Sequence, residues 1–147
     1  MSHSEEGLRR AILRLLTRRD HSQQELLQKL LKKGHAKEAI FPLLAEFVTV
    51  GYLDEARYTQ NYIAARRRKG YGPERIMLEL QSRGVAPEVI AKQLDITDNS
   101  WLIEIQRVWR KRFKSHAPHE FKDRAKQMRF LQYRGFTQEQ IETLYEK

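Results

Sequence analysis

Residues 30–40, LLKKGHAKEAI, are rewritten twice further along the chain, as ELQSRGVAPEVI at 79–90 and FLQYRGFTQEQI at 130–141. Each copy holds a glycine, Gly34, Gly84 or Gly135, at spacings of 50 and 51 residues. Four positions before each glycine stands Leu30, Leu80 or Leu131, and six positions after it stands Ile40, Ile90 or Ile141. The residue just past a helix often takes a positive φ that glycine adopts freely, so each copy reads as helix, stop, helix. A period near 50 residues marks a modular array in which each unit buries its apolar face partly against the next. The units are expected at about 1–50, 51–95 and 96–147, each a long leading helix followed by two shorter ones. No window alternates with period two, whereas 3.6-residue spacing recurs throughout, which predicts an all-α fold of nine helices.

Caps and stops divide the nine. The first helix is expected over about Glu5–Arg19, with Leu8, Ile12, Leu15 and Leu16 inward. Ser22 and Glu25 form a capping-box pattern at the start of the second, which Gly34 ends. The third carries Ile40, Leu43, Leu44 and Phe47, but Pro42 would lose a hydrogen bond and clash within it, so that helix should start late or bend. Asp54 caps the fourth, Pro73 and Pro87 open the fifth and sixth, and Asp98 or Asn99 caps the seventh. On the seventh, Leu102, Ile105, Trp109 and Phe113 share a face. Residues 115–118 break the chain before an eighth helix with Phe121, Ala125, Met128 and Leu131. Thr137 and Gln140 cap the last, which is expected to bury Ile141, Leu144 and Tyr145.

The composition narrows the chemistry. Among 147 residues, 28 are Lys or Arg and 19 are Asp or Glu, a net charge of +9 that favours nucleic acid, an acidic protein groove or a membrane surface as partner. Cysteine is absent, which removes disulfides, thiol catalysis and cysteine-ligated zinc and fits a reducing cytoplasm. The N-terminal residues do not read as a signal peptide, and no window approaches a membrane-spanning length. His116 and His119 could share a metal, but two histidines in a connector are a weak signal, so neither metal nor cofactor is expected. The 70–73 stretch, GYGP, lacks the later glycine and the Lys-Ser/Thr of a phosphate loop. Acidic residues sit mostly at helix starts or beside cations, as caps and surface pairs. The expectation is a binding protein, not an enzyme.

The binding surface is sought around residues 51–72, GYLDEARYTQNYIAARRRKGYG. At 100° per residue Tyr58, Tyr62 and Ala65 share one face of the fourth helix, with Arg57, Gln60, Ala64, Arg67 and Arg68 opposite. One side anchors in a core while the other presents guanidinium groups. Arg57, Arg66, Arg67, Arg68, Lys69, Tyr71 and Arg75 are therefore the first candidates for contact with an acidic partner. Arg107, Arg110, Lys111 and Lys114 on the seventh helix are the second group. Such cations engage phosphates without reading bases, with an affinity that falls as salt rises. For Tyr71, stacking on a base and ordinary packing are equally open.

GYLDEARY, RRRKGYGPERI, the following LQSRG and the closing RFLQYRGFTQEQI resemble the RecX family, regulators of the RecA recombinase, in order and spacing from about Leu15 to Tyr145. The resemblance implies an elongated, curved array of three tandem three-helix repeats lying in the groove of a RecA–DNA filament. It implies inhibition of ATP hydrolysis, strand exchange, filament growth and the SOS co-protease, with no catalytic residues. A cytoplasmic monomer is expected, with sequence-independent contact to single- or double-stranded DNA left open. The competing reading is a nucleic-acid-binding module that acts without RecA.

Overall fold

The computed structural model describes residues 4–114 and 121–146. The described residues are helical with no strand. They comprise α1 (Glu5–Arg18), α2 (Gln23–Lys32), α3 (Lys37–Thr49), α4 (Glu55–Arg68), α5 (Pro73–Ser82), α6 (Pro87–Gln93), α7 (Ser100–Phe113), α8 (Phe121–Arg134) and α9 (Gln138–Thr143). The expected break at 115–118 and the pair His116 and His119 lie outside the described residues.

The repeated glycines have one job in all three places. Gly34, Gly84 and Gly135 take φ of 94°, 78° and 102°, conformations that L side chains rarely adopt. In each copy the amide one residue past the glycine reaches back to the repeat leucine: His35 to Leu30, Val85 to Leu80 and Phe136 to Leu131, at 3.1–3.2 Å. The glycine amides bond the next carbonyl along, of Leu31, Gln81 and Gln132. This paired closure satisfies carbonyls that a helix end otherwise leaves open. It turns the chain so that the aligned leucine and isoleucine both point inward, and all six are buried.

The chain divides into two compact units, Met1–Asn61 with Leu80–Gln93, and Tyr62–Glu79 with Leu94–Lys147. Both α4 and α5 supply residues to each unit. In the first unit α1, α2 and α3 pack pairwise around Leu8, Ile12, Leu26, Leu30, Ile40 and Leu44, with Phe47 and Leu53 closing the cluster. Burying side chains of this kind contributes about 1.5–3 kcal/mol each before entropy is counted. Ser22 and Glu25 form the full capping box at the start of α2. Pro42 is the sixth residue of α3, which begins at Lys37, so the helix does not start late. The proline ring is exposed, on the solvent side of the helix.

In the second unit α7, α8 and α9 pack pairwise, and Trp101, Ile105, Val108, Leu131, Phe136 and Ile141 are buried. The inward face of α7 is therefore rotated from the expected one. Ile105 is shared, but Trp101 and Val108 are buried while Leu102, Trp109 and Phe113 are half-buried. Asn99 occupies the N-cap of α7 without a side-chain hydrogen bond. Thr137 and Gln140 make the expected box at α9, where Ile141 is buried and Leu144 and Tyr145 are half-buried.

Candidate functional site

The candidate cations on α4, on the turn after it and on α7 divide, among the described residues, into those with intramolecular partners and those without. Arg57 belongs to the first group. Its Nε and Nη2 donate to the Asp20 carboxylate at 2.9–3.0 Å, a forked pairing that Asn61 supplements at 3.1 Å. Asp54 accepts from the Arg57 amide at 3.1 Å, as the cap reading expects. Tyr58, on the opposite face, is buried.

Beside this pair lies a second ionic cluster in the first unit. Glu25 accepts from Arg19 at 2.9 and 3.3 Å and from the Ser22 amide at 3.1 Å, and lies 3.5 Å from Arg83. Burial alone would raise the Glu25 carboxyl, but the Arg19 guanidinium and the Ser22 amide hold it down at about 2. Burial pushes the neighbouring Tyr58 hydroxyl up to about 12. His21, itself buried, accepts from Lys29 Nζ at Nε2 and donates from Nδ1 to the Arg19 carbonyl. Its burial, with that lysine alongside, lowers its pKa from the ordinary value.

In the second unit Glu79 is the centre. Its Oε1 accepts from the Tyr62 hydroxyl at 2.7 Å and Arg66 Nε at 2.9 Å, and its Oε2 from Arg66 Nη2 at 2.8 Å and Arg75 Nε at 3.2 Å. Burial would raise this carboxyl, but the hydroxyl and two guanidinium groups hold it below the usual carboxylate range. Arg66 also lies 3.8 Å over the Tyr71 ring, with Arg75 at 4.5 Å and Arg134 at 5.1 Å. Tyr71 is thus a half-buried packing ring surrounded by the chain's own cations.

The turn that carries Tyr71 is held by backbone. The Gly72 amide donates to the Arg134 carbonyl at 2.7 Å and the Glu74 amide to the Gly135 carbonyl at 2.9 Å. A Cβ on Gly72 would stand 2.5 Å from the Gly135 carbonyl carbon and the Phe136 nitrogen, so only glycine fits this approach. The glycine-tyrosine-glycine-proline turn is a docking point for the third repeat's own helix stop.

Arg67 lies 4.0 Å over the buried Trp101 ring and donates to Ser100 Oγ at 3.1 Å. Arg107 donates to the Arg67 carbonyl at 2.8 Å and to Glu104 at 3.1 Å. Arg68, Lys69, Lys111 and Lys114 are exposed and make no ion pair among the described residues. Arg110 is exposed as well, and among the described residues it donates to Gln106 at 3.4 Å and makes no ion pair. These five are available to an outside anion. Sequence reasoning missed Glu79 and Arg134. Arg134 had a signal, since it stands just before the repeat glycine as Arg83 does, and both fold back onto the body of their unit.

Three family domains match the chain in order. They are described as "RecX, first three-helix domain" at residues 9–47, "RecX, second three-helix domain" at 54–94 and "RecX, third three-helix domain" at 104–144. The chain belongs to the RecX family. Regulatory protein RecX of Pseudomonas tolaasii is 41% identical over 138 residues, covering 94% of this chain and 89% of that protein. Its counterpart in Halorhodospira halophila is 40% identical over 136 residues, covering 92% of this chain and 84% of that one. The crystal structure of RecX from Lactobacillus salivarius superposes with a TM-score of 0.79 at 16% identity, covering 96% and 94% of the two chains. Another RecX crystal structure gives 0.80, covering 97% of this chain and 73% of that one. At that identity the superpositions speak to the RecX fold alone. No helix among the described residues is long and apolar enough to cross a membrane.

Proposed function

We propose that this RecX-family chain binds the RecA recombinase filament in the cytoplasm and lowers its ATP hydrolysis, strand exchange, growth and SOS co-protease activity. It acts as a monomer and by binding, without a catalytic step. The observation that carries the reading is the ordered match of all three RecX domains to a chain about 40% identical to regulatory proteins of that name. The contact is assigned to Arg68, Lys69, Arg110, Lys111 and Lys114, the exposed candidate cations without an ion pair among the described residues. Arg57, Arg66, Arg67, Tyr71, Arg75 and Arg107 support it by fixing the helices that display those cations. A ligand shifts a polymer between states only by its differential affinity for them, so a body touching neighbouring subunits selects one subunit spacing. Several weak contacts on one body gain by effective concentration.

The exposed apolar side chains Phe41, Val48, Val50 and Tyr52 favour a protein partner over bare nucleic acid. The test is co-sedimentation of the full chain with RecA–single-stranded DNA filaments and with DNA alone across a salt series. Retention with the filament should persist at salt that releases the chain from DNA. If DNA alone retains the chain fully and recombinase adds nothing, the RecA-independent nucleic-acid module replaces this reading.

A further inference from the structure

A cleft of about 520 Å³ opens in the second unit between the end of α4 and the faces of α7 and α8. Six cations line it: Arg68, Lys69, Arg107, Lys111, Arg112 and Arg134. The remaining wall is Gly70, Val108 and Phe130, and among the described residues no carboxylate lines it. Glu104, which pairs with Arg107 at 3.1 Å, lines a neighbouring hollow with Ala64, Arg67 and Arg68 and not this cleft.

We propose that this cleft binds a condensed phosphate, the di- or triphosphate of a nucleotide or a short inorganic polyphosphate. Like charges converge on a small volume only at a cost, and an anion of matching charge density relieves it. The C-terminal end of α4 would ordinarily repel an anion here, because its free carbonyls carry the negative end of the helix dipole. Two cleft residues cancel that field. Arg107 caps the Arg67 carbonyl at 2.8 Å, and Arg134 caps the Lys69 carbonyl at 3.0 Å. Arg134 and Arg112 are held over the Phe130 ring at 4.9 and 5.3 Å, which fixes their guanidinium planes before any ligand arrives. Arg68, Lys69 and Lys111 complete the ring as exposed donors without an ion pair among the described residues.

Charge density favours a condensed phosphate over a nucleic-acid strand. A terminal phosphate carries about −1.5 to −2 charges, whereas each phosphodiester of a strand carries one and passes on to the next. Six cations around one cleft match the first pattern. The inference does not depend on the RecA reading, because binding is measured without recombinase.

The experiment is calorimetric titration of the full chain with ATP, with inorganic tripolyphosphate and with a short thymidine oligonucleotide, at low salt without magnesium. ATP and tripolyphosphate should both bind and compete with each other. The double reversal Lys111→Glu, Arg112→Glu should weaken both by about tenfold or more. The matched reversal Arg14→Glu, Arg18→Glu, at exposed cations of the first unit, should change either affinity less than about twofold. Retained helicity in circular dichroism verifies that both variants fold. ATP binding with which tripolyphosphate fails to compete would refute phosphate-led recognition. Equal losses from the two double variants would reduce the effect to net charge. Binding of the oligonucleotide alone would make the cleft part of a strand surface and overturn the proposal.

Discussion

Glu25→Gln tests the ionic cluster of the first unit at a single atom. The substitution keeps the shape of the side chain and removes the charge that Arg19 and Arg83 share. A carboxyl held at about 2 instead of its ordinary 4.5 contributes about 3 kcal/mol to folding at neutral pH, because each tenfold in proton affinity is worth about 1.4 kcal/mol. The side chain is only 14% exposed, so solvent screens little of this. The sign follows from the depressed value. The contribution is complete above pH 4.5 and is lost as pH falls towards 2, where the protonated wild-type side chain resembles glutamine. Urea unfolding followed by circular dichroism should separate wild type from Glu25→Gln by about 3 kcal/mol at pH 7 and about 1–1.5 kcal/mol at pH 3. His21 and the other carboxylates are common to both proteins, so the difference isolates this group. A gap that stays constant from pH 7 to pH 3 would refute the reasoning.

Gly72→Ala should cost about 3 kcal/mol or more, since its Cβ would stand 2.5 Å from the Gly135–Phe136 backbone, which cannot swing aside. A thermal midpoint equal to wild type would contradict the docking assigned to that turn. Glu79→Gln should lose about 1–3 kcal/mol by leaving Arg66 and Arg75 facing each other without their shared anion. Replacing Arg66 and Glu79 together by leucine should recover part of that loss in the same thermal melts. A double variant as destabilised as the Arg66→Leu and Glu79→Leu single changes summed would show that Glu79 is not the partner that matters to Arg66.

The backbone architecture was legible because its signals are local. The caps at Ser22 and Thr137, the stops at Gly34, Gly84 and Gly135, and the repeat leucines and isoleucines are written within a few residues of where they act. The α7 face was harder. Apolar residues stand at 101, 102, 103, 105, 108, 109 and 113, more than one stripe can hold, and periodicity cannot choose among them. Tertiary packing chose Trp101 and Val108. Of the two outcomes expected at Pro42, the late start does not occur, since α3 begins at Lys37 and carries the exposed proline as its sixth residue.

The candidate site was legible by composition but not by partner. Nothing local says that Arg57 reaches Asp20, 37 residues away, or that Arg66 spends its guanidinium on Glu79 across a turn. Charge patterning located the basic helix ends, and only the folded chain separates cations that hold the structure from cations that face outward. Tyr71 shows the same limit, for its three guanidinium neighbours come from three stretches of sequence.

The most direct measurement is the ATPase rate of RecA on single-stranded DNA titrated with this chain and with the triple reversal Arg110→Glu, Lys111→Glu, Lys114→Glu. Wild type should depress the rate in a saturable way, and the reversed variant should need about tenfold or more protein for the same effect while remaining helical. Recombinase turnover untouched by the wild-type chain, or inhibited equally by both proteins, would contradict the account.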